Sequence, residues 1–228
     1  MYTQSMDEQQ LTHPQDLQWY EQQKRLLKYM QLEDIASLTE GLHLFLEQHR
    51  QLHAPDDSSS LANIILADYA QEQWRHKPEG KNSIAWLIWH IARIEDATFN
   101  LLVAESKQVL DEWIERLGYA RRDVGTGMSN EEVLELSATI HLPALRAYWT
   151  AVTRRTQQLA RALDPTILTE RPTQSSLERL FAEGAVTQKI AELAQWWGER
   201  RKGVLLFQPV SRHTFWHLQE IRQISRGS

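Results

Sequence analysis

Ser83-Ile84-Ala85-Trp86-Leu87-Ile88-Trp89-His90-Ile91-Ala92-Arg93-Ile94-Glu95-Asp96 holds the longest apolar run of the chain, interrupted only by His90 and Arg93. Leu87, His90, Ile94, Ala97 and Leu101 recur at three- and four-residue spacing, the period of a helix face turned to a core. Ser83 has the side chain and position of an N-cap. The pattern predicts a helix from Ile84 to about Lys107, with His90 facing inward and Trp86 a turn before it. No other histidine sits in the middle of so apolar a helix. The run is far too short to span a bilayer.

Upstream, residues 1–16 read as a polar arm and 17–30 as a short helix. A long helix follows over about 32–53, with Ile35, Leu38, Leu42, Phe45 and Leu52 as its inward stripe. Residues 61–76 carry a shorter helical pattern, and 78–82 form a loop. Downstream, 109–117 continue the central helix or form a short one, and the glycine-bearing 118–130 is a loop. Ser129 caps a helix reaching about Leu163, which Pro143 kinks or splits near residue 140. Residues 165–185 are mixed. A helix is expected over 186–197, a break at Gly203, and a last helix from about Arg212 to Ser225. No segment alternates as a strand does. The natural packing is all-α: an arm and short helix over 1–31, then over 32–228 a four-helix bundle with extra short helices and long crossovers.

Composition fits. Nine glycines and seven prolines in 228 residues favour helices over a turn-rich β fold. The net charge of −5 and the absence of any basic stripe interleaved with aromatics argue against nucleic acid as a partner. No cysteine is present, so disulfides, thiolate ligands and a cysteine nucleophile are excluded together. The first thirty residues lack an apolar signal core. A cytoplasmic protein with no membrane association is the expectation.

Two HxxxH pairs occur, His49/His53 and His213/His217. Four residues at about 100° each put both rings on one helix face a turn apart, where they can share an ion. Roughly 0.3 such pairs arise by chance in a chain with this many histidines, so the spacing alone decides nothing. His49/His53 closes its helix, where histidine suits the helix dipole, although His49 also continues the inward stripe. Val210, His213, His217, Ile221 and Ile224 form an unbroken inward stripe. Buried imidazoles a turn apart need partners, and an ion satisfies both. Glu220 shares that face as a general base, a carboxylate orienting a ligand, or a fourth ligand. His90 is the inward histidine on another long helix that completes the set. Glu95 and Asp96 lie about 140° and 240° around the helix from His90 and read as solvated or salt-bridging. His13 and His76 read as solvated, and His141 sits beside the Pro143 break.

The 83–96 segment resembles the second-helix motif of the DinB/YfiT-like family, and Arg212-His213-Thr214-Phe215-Trp216-His217-Leu218-Gln219-Glu220 resembles its last-helix HxxxH motif. Trp196-Trp197-Gly198-Glu199-Arg200 and the run from Gly203 to Phe207 lead into it as in related sequences. The likeness covers most of residues 32–224. It implies a four-helix bundle of DinB/YfiT type whose divalent ion is held by His90, His213 and His217, with open coordination positions. Zinc or nickel suits three imidazoles best, with iron a further option. Several relatives are thiol-dependent transferases or isomerases that use bacillithiol, mycothiol or glutathione; others are called metal-dependent hydrolases. The expected partner is a small-molecule substrate with a low-molecular-weight thiol, and Glu220 is the expected catalytic carboxylate. The alternatives are a hydrolase and a non-catalytic metal-binding, ligand-binding or stress-response protein. The 17–30 and 61–76 segments either cover or create an apolar surface, which leaves a homodimer open.

Overall fold

The computed structural model describes residues 14–225. All regular structure among them is helical. In chain order the helices are α1 (Pro14–Gln31), α2 (Ile35–Leu52), α3 (Leu61–Leu66), α4 (Ile84–Glu95), α5 (Ile114–Leu117), α6 (Asn130–Thr139), α7 (Leu142–Ala162), α8 (Gln174–Ala182), α9 (Ala191–Gly198), α10 (Lys202–Leu205) and α11 (His213–Ser225). A π-helical stretch, Asp96–Val103, extends α4, and a second, Leu206–Arg212, joins α10 to α11 without interruption. Four long rods result, and each touches two others. The α2 rod packs on α7 and on the second π stretch, while α4 packs on α7 and α11. This is the expected four-helix bundle. No described helix is long and apolar enough to cross a membrane.

The central rod is α4, and every residue from Ile84 to Glu95 is buried. Ser83 caps it, its Oγ accepting from the Trp86 amide at 3.0 Å. The α2 stripe is buried from Leu38 through Leu52, but Ile35 is 61% exposed because it begins the first turn, before the helix enters the core. Residues 1–13, including His13 and most of the expected arm, lie outside the described residues. Residues 14–16 already belong to α1, whose Leu26 and Met30 enter the same core as Leu38 and Phe45. Asp16 is buried and ion-paired with Arg222 of α11.

Pro143 splits the expected 130–163 helix. α6 ends at Thr139, and α7 starts with Pro143 in its first turn, where a missing N–H does no harm. His141 is exposed and caps α7, accepting from the Ala144 amide. Helix α8, in a region expected to be mixed, is capped by Thr173, whose side chain accepts from Ser176 N. Its single turn signal and short length hid it. The expected break at Gly203 is absent. A Cβ there would lie 3.1 Å from the Leu168 carbonyl and 3.1 Å from the Met30 sulphur, so this glycine serves close packing inside a helix. Pro209 does not break the helical run ahead of the last helix either. It lies within the π stretch, where wider i→i+5 bonding absorbs a residue without an N–H. The bond from His213 N to Gln208 O closes that wide turn.

Candidate metal centre

Two rods deliver the site. His90 projects from the middle of α4, and the π stretch hands over to α11 at His213. Its Nε2 lies 3.1 Å from Nε2 of His90 and 3.1 Å from Nε2 of His217. All three donor atoms fall within 4.8 Å of one another, so this group can hold a metal ion. His90 and His217 are buried, and His213 is partly open.

The far nitrogens fix the tautomers of two rings. His90 Nδ1 donates to the Val124 carbonyl at 2.5 Å. A carbonyl only accepts, so that nitrogen carries the proton and Nε2 presents a lone pair. Likewise His217 Nδ1 donates to Oε2 of Glu220 at 2.9 Å, which bares its Nε2. Two lone pairs therefore face the one Nε2 of His213, where a single proton cannot serve both. A cation can. His213 Nδ1 is buried without a partner, so nothing opposes the tautomer that an ion requires. Burial, and next the charge of His217, pushes His90 down to about 3. Burial, then His217 and His90, holds His213 well below the usual histidine value. Both are neutral near pH 7, which is the ligand form.

The 118–128 loop supports His90 from two sides. Besides the Val124 carbonyl it brings Met128, whose sulphur accepts from Trp86 Nε1 at 3.2 Å. Trp86 in turn stacks on His90, with centroids 4.6 Å apart and planes at 16°. Gly125 has φ +80° and a Cβ there would lie 2.4 Å from the Trp89 ring, so only glycine fits. The loop is anchored from below by Arg93, which is fully buried and donates to the Arg122 carbonyl at 2.7 Å. Asp96, also buried, accepts from Arg93 at 3.1 Å and from the Tyr148 hydroxyl at 2.7 Å.

A cavity of about 950 Å³ adjoins the three histidines. Trp86, Trp196, Trp216, Arg212 and Glu220 are among its walls. A model described as the DinB superfamily matches residues 56–199, well over half of the chain.

The chain belongs to the DinB superfamily. The DinB match takes in His90 and the loop that orients it, but stops short of His213, His217 and Glu220. No curated protein matches the chain.

The sequence-derived set is thus brought together in this DinB chain. Its rival is not. His49 lies inward, with Nε2 bonded to Glu95 at 2.9 Å and Nδ1 to Gln157 at 2.8 Å. His53 is bonded to Thr153 at 2.7 Å and stacked on Trp149. Each ring has its own protein partner, so the His49/His53 pair is core packing. Glu95 and Asp96 are ion-paired as expected but fully buried rather than solvated. The first π stretch and the covering helices enclose the whole circumference of the rod, which a single inward stripe does not reveal. His76 is exposed as expected. Sequence reading missed the Val124 carbonyl, a backbone group without a residue signature, and Arg212 as a cavity wall.

Proposed function

We propose that this chain holds a single divalent ion through Nε2 of His90, His213 and His217, and with Glu220 activates a small nucleophile for attack on an electrophile in the adjoining cavity. The nucleophile is an external low-molecular-weight thiol in preference to water. The observation that carries this reading is the convergence of two bared Nε2 lone pairs on the third ring, beside an open cavity. A bound divalent ion acidifies a thiol or water and stabilises developing negative charge. With no cysteine in the chain, the thiol must come from outside.

The chain's own groups do the rest. Val124 and Glu220 hold protons on the outer nitrogens of His90 and His217. Trp86 keeps the His90 ring in plane and shields it from water. Glu220 lines the cavity, and its second oxygen accepts from Asn82 Nδ2 at 3.5 Å. That oxygen takes the proton a bound thiol loses.

Elemental analysis of untagged protein tests the centre. We expect about one zinc, nickel or iron per chain, and loss of most of it in His90→Ala and in His213→Ala. An intact protein that carries no metal and takes none up rejects the reading. Turnover is tested separately, with metal-loaded protein, glutathione, bacillithiol or mycothiol, and generic electrophiles. Tight ligand binding without turnover would favour the non-catalytic alternative.

A further inference from the structure

Among the residues facing the cavity, Arg212 has no role in the scheme above. It immediately precedes His213 and lines the same space. Its guanidinium rests over two rings, 5.8 Å from the Phe207 centroid and 6.0 Å from that of Trp216. Cation–π attraction of this kind holds a cation in place without neutralising it. No carboxylate of the described residues lies within ion-pair distance of it, although Glu192, Glu199 and Glu220 line the same cavity. Glu220 is engaged by His217 and Glu199 by Gln195.

A partly buried, pre-positioned and unpaired guanidinium in a ligand cavity is a receptor for an oxyanion. Its planar fork matches a carboxylate through two parallel hydrogen bonds. The other cation of the cavity, Lys189, is tied to the Gly127 carbonyl at 2.9 Å and so is less free to serve. Among polar residues such as Gln195 and Gln208, the same cavity is lined by Trp86, Trp196 and Trp216, which offer flat apolar walls. We infer that the molecule acted on here bears a carboxylate, which Arg212 grips, on a flat apolar body held between the tryptophans. This rests on the reading of the cavity as the substrate site. It adds the substrate's chemical class and makes Arg212 the residue that selects it.

The test compares benzoate with benzamide, which share shape and differ in charge. Binding to metal-loaded protein is measured by calorimetry and by quenching of tryptophan fluorescence. Benzoate should bind at least tenfold more tightly than benzamide, and Arg212→Gln should erase most of that preference. Arg212→Lys should retain part of it, and Lys189→Gln should leave it intact. A preference undiminished in Arg212→Gln would show that the metal or Lys189 recognises the anion. Equal binding of both probes to the wild type would show that no anion receptor exists. Either result overturns the inference. Metal content is measured on the same samples. Arg212→Gln should keep its ion, so failure of the metal reading shows separately as wild-type protein without metal.

Discussion

Neutral imidazole is a moderate ligand, and its strength depends on what the far nitrogen is bonded to. His217 gives its Nδ1 proton to a carboxylate and His90 gives its proton to a carbonyl. On the proposed reading, a carboxylate partner orients the His217 ring and strengthens its hold on an ion more than a carbonyl does for His90. Glu220→Gln keeps an acceptor oxygen but removes the charge. We expect it to weaken metal affinity by about 10- to 100-fold while leaving the unfolding midpoint of metal-free protein nearly unchanged. Competition with a chromophoric chelator measures this. Unaltered affinity would reduce Glu220 to a wall of the cavity. The same outer-nitrogen chemistry explains which parts of the site were readable. His90, His213, His217 and Glu220 could be found because helical spacing fixes where side chains go. Val124 could not, because any residue has a carbonyl, and only the folded loop shows which one meets His90.

The π stretches matter because a widened turn shifts all that follows around the helix axis. Leu206–Arg212 leads directly into His213 and His217, the two candidate ligands of α11. Inserting one alanine after Gln208 adds a residue beyond the one that the widened turn absorbs and should rotate His213 and His217 by about 100°. We expect metal uptake to be lost with helical content retained, read by elemental analysis and far-ultraviolet circular dichroism. Full metal content in the insertion variant would show that the widened turn does not set the register. Long periodic rods such as α2 and α4 were legible in the sequence, as was the split at Pro143. The 202–212 region was not, for a physical reason. Glycine and proline ordinarily end helices, and here packing against Leu168 and a π turn reverse both preferences. Nor does periodicity separate a half-exposed helix from one buried all round, and so the burial of Glu95 and Asp96 came only with the structure.

Across the bundle, three buried imidazoles share one electrostatic condition. Burial holds His53, His90 and His213 below the ordinary value of 6.5. The unfolded chain gains protons on these groups as pH falls through 6.5, whereas the folded chain does not. Their contribution to stability is therefore complete above about 6.5 and declines below it, for His90 down to about 3. Each contributes at most about 1.4 kcal/mol per pH unit in that window. Metal-free protein should thus lose up to a few kcal/mol between pH 7.5 and 5.5, before carboxylates begin to titrate. Urea unfolding at the two pH values measures it. An unchanged midpoint would show that the buried rings do take up protons.

The ring bonded to His213 lies 123 residues earlier in the chain. During synthesis, His90 leaves the ribosome long before the two histidines that complete the centre. A growing chain therefore offers an ion one imidazole only, no better than any surface histidine. Loading waits until α11 has been made and has docked against α4. On the proposed reading, occupancy therefore marks the chains in which α11 has been made and has docked against α4.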